Sequence, residues 1–279
     1  MIRRIVAIII FIALIVIGIG WAGFRVTPSI DEPPRSHSNL TDRTALYDGL
    51  PPALQFYLQQ TVGRAPWITD SALLWGTGQI LFDTGFGKFW LPIAWQEAID
   101  VDRGFVWRGQ IMWWKWSILD AIDFWDSDMA YARLGETIVT ATCLPRAQAM
   151  RSHATRVWLP STLIHDDITW SRHGNWNLTM RYTSVGETDS LTVHFDARTR
   201  ALAELSGVRC QDDTTRSAWR VRFHAWDTFD GVTVPSEGDV SWYNDPYYRF
   251  NVAGMTFNIS VDDWFDAARS EVELAVPPQ

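Results

Sequence analysis

Cysteine, lysine and the common catalytic motifs are scarce or missing in this chain of 279 residues. Its two cysteines, Cys143 and Cys210, belong to no CxxC pair and have no histidine array nearby, so we predict no metal site. The sequence has no GxSxG, no HExxH and no phosphate-binding loop, and we predict no catalytic residue and no cofactor. Gly76 and Gly78 begin like a dinucleotide-binding loop but lack its third glycine, and we interpret them as part of a turn.

Positive charge is also in short supply. Lysine and arginine together number 24, against 32 aspartates and glutamates, and Arg3, Arg4 and Arg25 flank the first apolar run. The 21 other basic residues leave the chain beyond that run with a net charge of −11. This excess of acid excludes nucleic acid as a partner, because binding to phosphates requires a basic surface.

Four of the acidic residues are close together: Asp120, Asp123, Asp126 and Asp128. Hard cations bind several oxygen ligands, but this spacing matches no calcium loop and Trp125 interrupts it. We therefore expect a solvated polar loop over residues 120–129.

The N-terminus carries one long apolar run. Residues 5–24 contain no charge and no proline, and at about 1.5 Å per residue they would cover a hydrocarbon core of roughly 30 Å. Arginines before the run predict that residues 1–26 form a transmembrane signal anchor with a cytoplasmic N-terminus and a periplasmic or extracellular main domain. The alternative is a cleaved signal peptide, with a site near Gly20-Trp21-Ala22.

The rest of the chain divides by composition. Residues 27–46 are rich in proline, serine and aspartate and predict a flexible linker. Residues 47–265 predict an exported antiparallel β domain, and residues 266–279 a C-terminal tail. Short helices are expected after Pro51-Pro52 and over residues 146–158, because proline is favoured in the first helical turn.

Alternating apolar and polar residues dominate the predicted domain. The apolar positions include Trp107, Trp176, Met180, Trp219 and Phe223, each in a run with the period of two that is typical of strands. Asp230-Gly231 is a hairpin signal, and short turns between strands mean antiparallel pairing. The predicted fold class is mainly β with a few helices (α+β): an N-terminal transmembrane helix, then a curved antiparallel sheet or half-barrel covered by short helices.

Tryptophan is abundant, with 17 residues. One interpretation is a large aromatic core. The other is an aromatic-lined groove for an apolar ligand, since indole combines a large apolar surface with a single donor. Five tryptophans are candidate ligand-binding residues because they lie on predicted strand faces or beside a helix end. They are Trp107, Trp113, Trp158, Trp176 and Trp242. In an oxidising compartment Cys143 and Cys210 become a candidate disulfide.

Several segments resemble a known family. They are Leu50-Pro51-Pro52-Ala53-Leu54-Gln55-Phe56-Tyr57-Leu58, Trp90-Leu91-Pro92-Ile93, Gly104-Phe105-Val106-Trp107, Val157-Trp158-Leu159-Pro160, and Asp230-Gly231-Val232-Thr233-Val234-Pro235. Over residues 47–260 the chain is similar to a family of uncharacterised bacterial membrane-anchored proteins, a domain of unknown function. The resemblance implies a β fold of the lipoprotein-carrier (LolA/LolB) type with an apolar concave face. It implies no catalytic residue, because the family has no established activity.

These observations favour a non-enzymatic cell-envelope protein that binds a lipid, a lipoprotein or another hydrophobic ligand in an aromatic-rich cavity. Its expected partners are the membrane, through the N-terminal helix, and that ligand. Two alternatives stay open: a hydrolase whose active site is assembled from distant segments, and a protein-interaction module with a filled core.

Overall fold

A computed structural model describes residues 2–30, 47, 49–62, 69–83, 85, 87–127 and 129–275. Most of the predicted linker, residues 31–46, lies outside them. The helices are α1 (Ile2–Gly23), α2 (Pro52–Thr61), α3 (Leu144–Thr155) and α4 (Asp262–Ala275). Two short 3₁₀ helices, Arg156–Trp158 and Pro160–Ile164, follow α3.

Within these residues, thirteen strands form one antiparallel sheet. The strands are β1 (Ser71–Asp83), β2 (Lys88–Asp100), β3 (Gly104–Trp113), β4 (Trp116–Asp126), β5 (Met129–Leu134), β6 (Thr137–Ile138), β7 (Ile168–Arg172), β8 (Asn177–Ser184), β9 (Glu187–Phe195), β10 (Leu202–Cys210), β11 (Arg216–Phe229), β12 (Val232–Trp242) and β13 (Asp245–Phe257). Their spatial order is β6-β5-β4-β3-β2-β1-β13-β12-β11-β10-β9-β8-β7. The prediction of a mainly β fold with an antiparallel sheet and short helices is confirmed.

The sheet curves around α3. This helix contacts β3, β4 and β5 on one side and β9 and β10 on the other. In the sheet β4 and β10 are seven strands apart, which is about 34 Å at 4.8 Å per strand, whereas a helix with its side chains is only about 10–12 Å wide. Only a bent sheet brings both halves to one helix. We call the face that carries α2 and α3 the inner face.

The two halves of the sheet show different sequence patterns because only one is covered on both faces. In β8, Leu178, Met180 and Tyr182 are buried on the inner face, and the residues between them are more exposed. In β3, Phe105 packs in the inner core, whereas Val106 packs on the outer face against α4. The β8 pattern therefore alternates, and β3 is buried nearly throughout.

Helix α4 occupies residues that the sequence places in a C-terminal tail. Its Phe265, Ala268 and Val272 are buried against the outer face, and Phe265 lies edge-on to Phe124 with ring centroids 6.1 Å apart. The predicted boundary at residue 266 thus falls inside a packed helix.

Two local predictions were wrong. The predicted polar loop over residues 120–129 is mostly strand β4, with Asp123 and Asp126 held by arginines from other elements. Gly76 and Gly78 lie inside β1, not in a turn. A Cβ at Gly76 would come within 2.6 Å of the Trp95 ring and 2.0 Å of the Asn251 carbonyl oxygen. The glycine is needed for this close packing.

Helix α1 contains the apolar run, and its side chains are described from Ile9 onward. Among the described residues, no helix has both the length and the apolarity needed to cross a bilayer. The C-terminal end of α1 contacts the β3–β4 hairpin: the Trp113 indole donates to the Gly20 carbonyl at 2.8 Å, and the Trp114 amide donates to the Gly23 carbonyl at 2.9 Å.

Candidate functional site

A cavity of about 250 Å³ lies on the inner face of the sheet, beneath α3 and the 3₁₀ turn that follows it. Its aromatic lining comes from four strands and that turn: Trp95, Trp107, Trp158, Trp219, Phe223 and Phe250. Alternate residues of a strand share a face, so Trp219, Val221 and Phe223 of β11 all reach the cavity. The site is therefore built by the sheet itself.

Two of the four indole groups of the lining donate their N–H groups to backbone carbonyls. Trp95 donates to the Thr77 carbonyl at 2.9 Å, and Trp158 donates to the Pro235 carbonyl at 2.9 Å. The Trp158 ring also lies edge-on to Phe250, with centroids 5.7 Å apart. With these N–H groups already hydrogen-bonded, Trp95 and Trp158 contribute apolar surface to the cavity.

Arg151 of α3 is the centre of a charged group at the cavity wall. Its guanidinium is 3.2 Å from the Glu97 carboxylate, pairs with Asp123 and lies over the Phe105 ring at 4.5 Å. Burial raises the pKa of Glu97, and the Arg151 charge and hydrogen bond only partly oppose this. Arg151 thus compensates two carboxylates and holds α3 to the sheet.

A second arginine, Arg209 of β10, also lines the cavity. Its Nε donates to the Ala147 carbonyl at 2.9 Å, and its Nη2 is 3.4 Å from the Gln148 side-chain oxygen. The guanidinium lies 5.3 Å from the Trp219 ring and 5.8 Å from the Trp242 ring. Desolvation lowers the pKa of Arg209. Among the described residues, no carboxylate forms an ion pair with it.

Two tyrosines complete the polar part of the lining. The Tyr247 hydroxyl accepts a hydrogen bond from the Trp219 indole at 3.2 Å. The Tyr248 hydroxyl is buried and interacts with the Trp107 side chain, but its own hydrogen has no acceptor within the described part of the chain. Burial raises the pKa of Tyr248 well above its ordinary value, so this group is a neutral donor.

The five tryptophans predicted from the sequence occupy different places. Trp107 and Trp158 line the cavity. Trp242 lies just behind it, stacked on Tyr247 with ring centroids 5.8 Å apart. Trp176, beside β8, packs against the main core outside the lining, and Trp113 contacts the end of α1. Ligand binding by all five stays a prediction.

Sequence reasoning missed most of the polar lining and several aromatic residues. Trp219 and Phe223 carried a usable signal, because they alternate on one strand. Arg151 and Arg209 carried none, since a charged residue on a helix or strand is normally solvent-exposed.

The two cysteines are not bonded to each other in the structure. They are neighbours, however, because the Cys143 thiol interacts with the Cys210 thiol and is 3.3 Å from the Asp212 carbonyl. Burial and the neighbouring thiol raise the pKa of Cys143 to about 11. The proposed pairing of the cysteines stays a prediction.

The fold and the site define a class of protein: a single curved antiparallel sheet whose inner face encloses an aromatic cavity under helices. The chain belongs to DUF6544, a family of unknown function, whose profile matches residues 41–250. The resemblance to an uncharacterised family is thereby confirmed. A comparison with curated proteins finds no match.

Three solved structures are similar in fold at low sequence identity. A LolA superfamily protein from Nitrosomonas europaea has a TM-score of 0.43 and 7% identity, over 76% of this chain and 96% of that one. A DUF1329 family protein from Desulfovibrio piger has a TM-score of 0.42 and 8% identity, over 72% and 91%. A domain from Vibrio parahaemolyticus, provisionally described as an outer membrane lipoprotein-sorting protein, has a TM-score of 0.41 and 5% identity, over 71% and 90%.

Proposed function

We propose that this protein binds an apolar, chain-like ligand, such as a lipid acyl chain, in the cavity beneath α3. The observation that carries the proposal is the cavity wall, where aliphatic, indole and phenyl groups outnumber polar ones and the N–H groups of Trp95 and Trp158 already donate to backbone carbonyls. Such a wall favours a ligand without many polar groups, because each buried polar group would need a partner.

The size of the cavity narrows the ligand further. A volume of about 250 Å³ is just below the roughly 300–1,000 Å³ of ordinary ligand pockets. This size suits one acyl chain or a similarly slender group better than a bulky ring system or several chains together.

Mass spectrometry on the full chain tests this proposal. The protein would be extracted from a bacterial membrane in mild detergent and examined by native mass spectrometry and by solvent extraction of bound lipid. We expect about one lipid per chain in the wild type. A wild-type sample that shows only the bare protein mass under gentle conditions would refute the proposal.

Two variants provide the matched comparison. Val221→Phe enlarges a buried residue of the lining and should remove the lipid, at a cost in stability of about 1–3 kcal/mol. Val208→Phe makes the same change at an exposed position of β10 and should retain the lipid. Thermal unfolding of each variant checks that it is folded.

We further propose that α1 anchors this binding domain to a membrane, with the domain on the periplasmic or extracellular side. In support, large apolar side chains are exposed all round the described part of α1, including Phe11 at 65% and Ile17 at 66%. The hairpin at its end exposes Trp114 and Trp116, and Lys115 lies over the Trp116 ring at 5.9 Å. Tryptophan and basic residues are favoured at bilayer interfaces.

Fractionation tests the anchor. The full chain should stay with membranes after a carbonate wash, and a variant lacking residues 2–24 should not. Alkaline phosphatase fused to the C-terminus should be active only with the full chain. An intact mass that includes the N-terminus distinguishes an anchor from a cleaved signal peptide, and full release of the wild type by carbonate would contradict anchoring.

A further inference from the structure

The charges around the cavity are unevenly paired. Glu97 and Asp123 both interact with Arg151, and Arg133 is paired with Glu271 from α4. Arg209 is then the one cation of the lining that forms no ion pair among the described residues.

Neutral groups hold the Arg209 guanidinium in place. The Ala147 carbonyl accepts from Nε, and the rings of Trp219 and Trp242 lie beside the charge. The Asp123 carboxylate also attracts the Arg209 guanidinium, but Asp123 is itself paired with Arg151, whose charge opposes that attraction. A guanidinium has five N–H groups in a planar fork, so donors remain for a further acceptor.

The neighbouring tyrosines make this end of the cavity suitable for an anion. Tyr247 also interacts with Arg209, and the hydrogen of the buried Tyr248 hydroxyl has no acceptor among the described residues. A carboxylate or phosphate pairs with a guanidinium through two parallel hydrogen bonds, and tyrosine hydroxyls are suitable additional donors. The other charged residues of the lining, Glu97, Asp123, Arg133 and Arg151, are held in ion pairs, and apart from Thr155 the remaining wall is apolar.

We infer that the cavity selects an amphiphile with an anionic head group, a carboxylate or a phosphate, whose acidic group pairs with Arg209 while its chain lies against the tryptophans. This inference rests on the proposed function and specifies the chemical class of its ligand. The head group supplies the ion-pair partner that Arg209 does not have among the described residues.

The test compares ligands that differ only in the head group. The full chain in lipid nanodiscs would be titrated with 11-bromoundecanoate, its methyl ester and the corresponding bromoalkyl phosphate, and quenching of tryptophan fluorescence by bromine would report binding. Val221→Phe fills the cavity, so the quenching that remains in this variant comes from probe dissolved in the nanodisc bilayer. This quenching is subtracted from that of the wild type. We expect the acid to bind at least about ten-fold more tightly than the ester, as a charge-assisted pair would provide.

Variants at Arg209 decide whether this residue is responsible. Arg209→Gln should lose the preference for the acid and keep its affinity for the ester, which also shows that the variant is folded. Arg209→Lys should keep part of the preference. Arg216→Gln, on the paired strand at an exposed position, should behave like the wild type.

The outcomes separate the two proposals. Equal affinity of the wild type for acid and ester, or a preference that survives in Arg209→Gln, would overturn the anionic subsite and leave the apolar ligand standing. Cavity binding of neither probe would overturn both. If the acid is preferred, the relative affinity of carboxylate and phosphate identifies the head group.

Discussion

The Arg151 guanidinium lies 3.2 Å from the Glu97 carboxylate, where a helix on the inner face meets the second strand of the sheet. The Glu97 side chain is only 5% exposed, so its charge depends on this partner. The pair joins α3 to the wall of the cavity.

Removing Arg151 should therefore destabilise the fold. We expect Arg151→Met to lower the free energy of unfolding by about 2–4 kcal/mol at pH 7, because Glu97 and Asp123 lose their countercharge. Urea unfolding measures the loss, and the double variant with Glu97→Gln should recover part of it. A single variant within about 0.5 kcal/mol of the wild type would mean that the pair does not hold the helix.

Acid stability should depend on Asp167. Burial alone would raise the pKa of this carboxyl, but the interaction with His153 at 3.7 Å and the hydrogen bonds with Arg156 and His165 outweigh it and hold the pKa below its ordinary value. The unfolded chain then binds more protons at acid pH than the folded protein does. The stability that the ionised Asp167 provides is therefore present above the ordinary pKa of 3.8 and is lost as the pH falls below it.

We expect Asp167→Asn to lower the free energy of unfolding by about 1 kcal/mol at neutral pH. Between about pH 5 and pH 2 the free energy of unfolding of this variant should fall less steeply than that of the wild type. The measurement is the free energy of unfolding across that range. Asp166→Asn, at the exposed neighbouring position, is the control and should keep the wild-type slope. An unchanged slope in the Asp167 variant would contradict this assignment.

Ligand binding should distinguish two of the tryptophans selected from the sequence. Trp158→Ala removes a wall of the cavity and should weaken binding of a brominated fatty acid about ten-fold or more, whereas Trp176→Ala should leave binding near the wild-type value. The same quenching titration measures both. Equal weakening by the two substitutions would indicate a general loss of structure, which thermal unfolding would reveal.

Cys143 and Cys210 should form a disulfide when the protein is prepared under oxidising conditions, because their thiols are neighbours. Intact mass should show the loss of two hydrogens. The free energy of unfolding should rise by up to about 4 kcal/mol, because the disulfide closes a long loop of the unfolded chain. Cys143→Ser should abolish both effects, and two titratable thiols in the oxidised sample would refute the pairing.

The period of two predicted much of the sheet because its physical cause is local. Leu178, Met180 and Tyr182 face inward since alternate side chains of a strand point to the same side. The same rule does not reveal what Trp113 contacts, because its indole donates to the Gly20 carbonyl of α1, which is distant in sequence. Nor does it reveal the register shift beside Trp113, where Ile118 is an extra residue in β4.

The charged part of the site depends on long-range packing, which composition does not reveal. The aspartates of β4 suggested a loop because their partners, Arg151 for Asp123 and Arg103 and Arg269 for Asp126, are distant in sequence. The position of the Arg209 guanidinium likewise depends on the α3 carbonyl to which it donates a hydrogen bond. The residues next to these side chains in sequence do not indicate which distant groups they contact.

The pairing of β1 with β13 has a consequence for how the chain reaches its final state. These are the first and last strands in sequence, and they meet in the middle of the sheet. During synthesis one edge of β1 therefore stays unpaired until β13 has emerged from the ribosome. An unpaired strand edge can pair with other chains. Folding ends at the centre of the molecule, so a truncation that removes β13 would leave two separate meanders, each with an open edge.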